Sequence, residues 1–128
     1  MKTTIVNPAD GIYPATSDYV HAIEVNSATR LLFVAGTMGL DESGVAPASL
    51  DQQLELIWKN IRRILSEAKM STDNIVRLTS YLRDAAYADA NARARTAALG
   101  DRRIPTTAIV VSTLSPHWLV EIEVIAAA

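Results

Sequence analysis

Two helix-forming stretches, each set between strand-like segments, limit this chain to very few folds. In the first, Ser49 and Gln52 form an S-x-x-Q capping box, and Leu50, Leu54, Ile57, Ile61, Ile64 or Leu65, and Ala68 recur at helical spacing. Lys59, Arg62, Arg63 and Glu67 fall largely off that apolar face, and the helix is expected to end near Lys69. In the second stretch Asp84 can cap a helix that runs to about Leu99 and stops at Gly100. Its alanines favour helix, and their small side chains allow close packing on a sheet. The strand-like segments are Tyr19 to Val25, Leu31 to Gly36, Ile75 to Leu82, Thr106 to Thr113 and Leu119 to Ala126. The first two are expected to pair as a hairpin across Asn26 to Thr29. The opening to Ser17, rich in Pro, Gly, Asn and Asp, reads as irregular.

The order is therefore β-β-α-β-α-β-β. Helices that join parallel strands cross over right-handedly, which puts both on one face of the same sheet. The expected fold class is α+β: a two-layer domain with a mixed sheet and two helices on one face. A length of 128 residues suits a single domain spanning 1–128.

The sheet face without helices is the informative one. On the last strand Val120, Ile122 and Val124 share one side, while Leu119, Glu121, Glu123 and Ile125 share the other. On the strand before it, Ala108 and Val110 lie on one side and Ile109 and Val111 on the other. On the middle strand Ile75, Arg77, Thr79 and Tyr81 are expected to share a face. A mixed apolar and polar face left uncovered marks association. A homo-oligomer packed through the sheet is expected, with a site at the subunit boundary.

Composition narrows the chemistry. The chain has no cysteine, which excludes disulfides, thiolate metal sites and cysteine nucleophiles and suits a reducing compartment. The net charge is −2 and the longest basic run is a pair, so nucleic acid is disfavoured as a partner. His21 and His117 show no metal-ligand spacing with the scattered carboxylates, so no metal is expected. There is no nucleophile elbow around Ser17 or Ser112 and no phosphate-cradling Gly-rich loop. No apolar stretch reaches the roughly 20 residues a membrane span needs, and no export signal opens the chain. A soluble cytoplasmic protein with no membrane partner is the expectation.

The segments Asp18-Tyr19-Val20-His21-Ala22, Phe33-Val34-Ala35-Gly36-Thr37-Met38-Gly39, Asp73-Asn74-Ile75-Val76-Arg77-Leu78-Thr79 with Tyr81-Leu82-Arg83-Asp84, Ile104-Pro105-Thr106-Thr107-Ala108, and Leu119 to Ala126 together resemble the RidA family, also called the YjgF or reactive-intermediate deaminase family. Their order and spacing cover nearly the whole chain, and the closing V-E-I-E-V-I-A is the strongest element. The resemblance implies a chorismate-mutase-like fold, a homotrimer with three clefts between subunits, no cofactor, and hydrolysis of enamines or imines to a 2-oxo acid and ammonia.

Carried over position by position, the resemblance places the family's strand tyrosine on Tyr19, its pocket glycine on Gly36, its helix asparagine on Asn91 and its last-strand glutamate on Glu121. The family's cysteine position holds Ile109. The arginine that clamps a substrate carboxylate in the deaminase-active branch is replaced by Thr107, which cannot supply a planar two-pronged cation. Arg93, Arg95, Arg102 and Arg103 lie near the start of that strand and are candidates to reach in.

Glu121 is the expected catalytic residue. Burial beside Leu119 and Ile125 would raise its pKa and let it activate a water, although it could instead be an interfacial carboxylate paired with a neighbour's arginine. Tyr19, Gly36, Asn91, Thr107 and Ile109 are the expected ligand-binding set. The leading functional expectation is a cofactor-free hydrolase of small enamine, imine or related carbonyl compounds. A catalytically silent ligand-binding or chaperone-like protein is the alternative, and a ribonuclease or translation inhibitor ranks below both.

Overall fold

The computed structural model describes residues 1–128. Its elements are β1 (Lys2–Val6), β2 (Ala22–Asn26), β3 (Leu31–Met38), α1 (Leu50–Glu67), β4 (Ile75–Leu82), α2 (Ala88–Leu99), β5 (Thr106–Val110) and β6 (Val120–Ala127). The main sheet runs β3-β6-β4-β5. β6 is antiparallel to both its neighbours, and β4 and β5 are parallel. α2 is thus the crossover between adjacent parallel strands, while α1 crosses over β6. Both helices cover one face, as the crossover rule requires.

The core between the layers is aliphatic. Leu54, Ile57, Ile61 and Leu65 of α1 meet Leu78, Leu82, Val120, Ile122 and Val124 of the sheet. Trp58 is also buried there, so it packs rather than offering a stacking platform. Ser49 caps α1 by accepting from the Gln52 amide, and Asp84 caps the short 3-10 turn that leads into α2. Gly100, at φ 64°, ends α2 with its amide on the Thr96 carbonyl. The end of α1 has the Schellman pattern: Lys69 takes φ 60°, and the Met70 amide reaches back to Leu65 O.

Four expectations need correction. Lys2–Val6 is a strand, not irregular chain, and pairs antiparallel with β2. β2 and β3 do not form a hairpin; they belong to separate sheets. Ser27, at φ 60°, swings the chain, and Thr29 and Arg30 then bond the end of β6 at Ala128. Strand length also differs, because β2 begins three residues after Tyr19 and β5 stops at Val110. In β4 the register breaks between Ile75 and Arg77, which turns Ile75 into the core and leaves Arg77, Thr79 and Tyr81 on the open face.

Candidate active site on the open sheet face

The alternation of β6 sends Glu121 and Glu123 to the face opposite the helices. Register then decides their neighbours. Glu121 lies opposite Tyr81, which lies opposite Ile109; Glu123 lies opposite Thr79, which lies opposite Thr107. Two rows therefore cross the open face, each with one carboxylate from β6.

On the β3 side the pairing with β6 slips between Val34 and Thr37. Gly36 sits in that bulge, against the Glu121 side chain. A Cβ built on Gly36 would lie 2.7 Å from Glu121 Oε2. The absent side chain is what gives the carboxylate room above β3.

Burial, and secondarily the neighbouring Glu123 carboxylate, raises the pKa of Glu121 above its ordinary value. Glu123 accepts the Tyr81 hydroxyl. That bond, then burial, raises the Tyr81 pKa and keeps the phenol protonated. Glu123 is thus tied down, while Glu121 accepts no side-chain hydrogen bond and is available to a ligand or water. Two shallow hollows flank the pair. One, of about 200 Å³, lies between Glu121, Tyr81 and the Val111–Leu114 segment. The other, of about 280 Å³, is walled by Arg77, Thr79, Glu123 and Phe33.

Tyr19 and Asn91 are elsewhere in the chain. Asn91 is buried in the sheet-facing row of α2 with Arg95 and Leu99, and its Oδ1 has no partner. Arg95 pairs with Asp18 and bonds Thr106, and the Val20 amide bonds Ile104. These bonds hold the Tyr19 segment along the β5 edge. Neither Tyr19 nor Asn91 bonds a residue of the open face. The expected site residues thus fall in three places: Glu121, Gly36, Thr107 and Ile109 on the open face, Tyr19 at the β5 edge, and Asn91 buried under α2 on the helix side of the sheet.

His21 is an anchor for the opening segment: its ring nitrogen meets Tyr13 O at 2.9 Å and its amide donates to Asn7. No three His, Asp or Glu side chains come together as a metal site. A groove of about 470 Å³ runs between α1, which gives it Asp51, Glu55, Trp58 and Arg62, and the alanines of α2, and it holds none of the expected ligand-binding or catalytic residues. No helix is long and apolar enough to cross a membrane.

Sequence reasoning passed over two contributors. Arg77 donates to Thr107 Oγ1 at 3.1 Å. Tyr81 holds Glu123. The period-2 pattern of β4 placed both on one face, but only the pairing register identifies their partners.

Comparison with known proteins adds a lineage. Residues 12–128 match the family profile described as Endoribonuclease L-PSP. The chain is similar to a RutC family protein of Pyrococcus abyssi, 32% identical over 111 residues that cover 84% of each chain. It is 37% identical to a RutC family protein of Aquifex aeolicus over 67 residues, a match spanning about half the length of that relative. Among solved structures, the Rid-family protein YyfB of Yersinia pestis, a protein of unknown function, superposes with a TM-score of 0.82 at 23% identity over the whole of both chains. RidA from the Antarctic bacterium Psychrobacter superposes with a TM-score of 0.73 at 24% identity, over 89% of this chain and 91% of that one.

Proposed function

The chain belongs to the Endoribonuclease L-PSP family, the family of the RidA/YjgF proteins, and from that premise we propose that it hydrolyses small imines or enamines without a cofactor, in clefts between the subunits of a homotrimer. The carrying observation is Glu121: a carboxylate raised in pKa, lodged against a glycine, on a sheet face that one chain leaves open.

The chemistry needs little else. Glu121 as base takes a proton from water, and the oxygen adds to the C=N carbon. Glu121 returns that proton to nitrogen, which completes a carbinolamine, and then carries the carbinolamine's hydroxyl proton to the same nitrogen as the C–N bond breaks, so that ammonia leaves, a carbonyl remains and the carboxylate is restored. An acid–base group performs best with a pKa near the working pH, and burial moves Glu121 in that direction.

The surface supports assembly. Phe33 is 71% exposed, and Leu31 and Ile109 are exposed with it on the open face. β1 is exposed along its whole length although it carries Ile5 and Val6. A two-stranded ribbon alone is marginal in water, so a neighbouring subunit is the natural cover. A site shared between the open face of one subunit and the β5 edge of the next would bring Tyr19 to Glu121, Gly36, Thr107 and Ile109.

A second reading has its own observation. With Thr107 at the arginine position, a ligand-binding protein that lacks the chemistry is the alternative. The ribonuclease activity in the family's description is less well supported here, since the net charge is −2 and no Lys/Arg run exceeds a pair.

The test is ammonia release from freshly generated imines, both carboxylated and uncharged, by purified protein. Acceleration over buffer for at least one class is the expected result. No acceleration for either class would leave the binding reading in its place.

A further inference from the structure

None of the arginines adjacent to β5 in sequence lines the hollows beside Glu121 and Glu123. Arg95 serves Asp18 and Thr106, Arg102 binds the carbonyls of Thr72 and Ile75, and Arg93 lines the groove between the helices. Arg103 makes no side-chain hydrogen bond and precedes the sheet. The cation on the open face comes instead from β4. Arg77 reaches diagonally to β5 and donates one N–H to Thr107 Oγ1 at 3.1 Å.

It has no ion-pair partner, for the chain's ion pairs are Arg63–Glu67 and Arg95–Asp18. Glu123, which shares its hollow, is bound by Tyr81 instead. A guanidinium carries five N–H donors, so most of the fork remains free. An unpaired, oriented fork beside a hollow is the arrangement that binds a carboxylate with two parallel bonds.

The geometry points to Arg77 as the substrate-carboxylate clamp of this protein, with Thr107 as the hydroxyl that aims it. The inference rests on the reading of the open face as the site, and it assigns that site's selectivity for a carboxylate to a residue of β4 rather than of β5. Thr107 is then a change in which strand supplies the cation, not a lost function.

Binding separates this inference from catalysis. Calorimetric titration with 2-oxobutanoate, and with uncharged 2-butanone as control, is run on the wild type, Arg77→Ala, Arg77→Lys and Thr107→Val, each checked for unchanged mass by light scattering. The wild type is expected to prefer 2-oxobutanoate by about tenfold or more, a preference lost in Arg77→Ala and partly kept in Arg77→Lys. Thr107→Val is expected to weaken 2-oxobutanoate and leave 2-butanone unchanged. Equal binding of the two compounds by the wild type, or Arg77→Ala within about twofold of it, overturns the assignment. If the Arg77-dependent preference holds but no imine is hydrolysed, the hydrolase reading falls and the clamp stands. If imines are hydrolysed and Arg77→Ala is indifferent to the carboxylate, the clamp falls and the hydrolase reading stands.

Discussion

Replacing Glu121 with Gln is expected to lower imine hydrolysis by about 10²–10⁴-fold, the range for loss of a positioned acid–base group. The substitution keeps the shape of the side chain and removes a partly exposed charge, so thermal unfolding should barely move. Gly36→Ala tests the same group from the other side. Its Cβ would stand 2.7 Å from Glu121 Oε2, and the end of a flexible side chain can move away. The variant should therefore fold and lose activity through a misplaced carboxylate. The pH profile carries a third signature. Glu121 works as a base when ionised, so activity should rise with pH through its raised pKa, and the acid limb should lie above the ordinary glutamate value of 4.5. In Glu123→Gln the limb should shift to lower pH, because a like charge is removed. It should remain above the ordinary value, because burial, the larger cause, is unchanged. A limb that ignores Glu123 would separate the titrating group from Glu121.

Gly39→Ala is expected to do to the fold what Glu121→Gln does to the chemistry. A Cβ at Gly39 would lie 2.3 Å from the Gln53 carbonyl oxygen and 2.7 Å from its Cα. These are backbone atoms inside α1 and cannot rotate aside. Gln53 is also the clasp for two neighbouring segments: its side chain donates to Pro47 O and His117 O and accepts from the Leu119 amide. Moving α1 to admit one methyl would strain all of these bonds. The expected cost is about 3 kcal/mol or more, the upper range for overpacking, read as a large drop in denaturation midpoint or as insoluble protein. A variant as stable as the wild type would mean that β3 and α1 approach less closely than described.

The parts legible in the sequence were those written in local periodicity. The α1 stripe, the Gly100 stop and the strict alternation of β6 state their own structure. Together with the crossover rule they give two helices on one face of a mixed sheet. What stayed hidden depends on long-range pairing. Lys2–Val6 carries no buried face, so nothing in its own pattern marks it as the partner of β2. The slip at Gly36 and the one before Arg77 exist only relative to β6. Arg77 stands 30 residues from Thr107 in sequence, and only the parallel register of β4 and β5 makes them neighbours. Proximity in sequence pointed to Arg93, Arg95, Arg102 and Arg103 instead. Glu121, Gly36, Thr107 and Ile109 could be gathered on one face from strand alternation and family likeness. The separation of Tyr19 and Asn91 from them could not be read, because it depends on how the segment before β2 and helix α2 pack on the sheet, and a site that joins Tyr19 to the face needs two subunits to meet.

That meeting of subunits is most directly tested by complementation. Glu121→Gln disables the open face and Tyr19→Ala disables the edge, and each variant alone should be inactive. After the two are unfolded together and reassembled, random exchange leaves about a quarter of the clefts with both halves intact, as follows for a cyclic assembly with sites between subunits. Imine hydrolysis recovering to about a quarter of the wild-type rate is the expected result. Activity in the exchanged assemblies no higher than the sum of the two parents would contradict a site built between subunits.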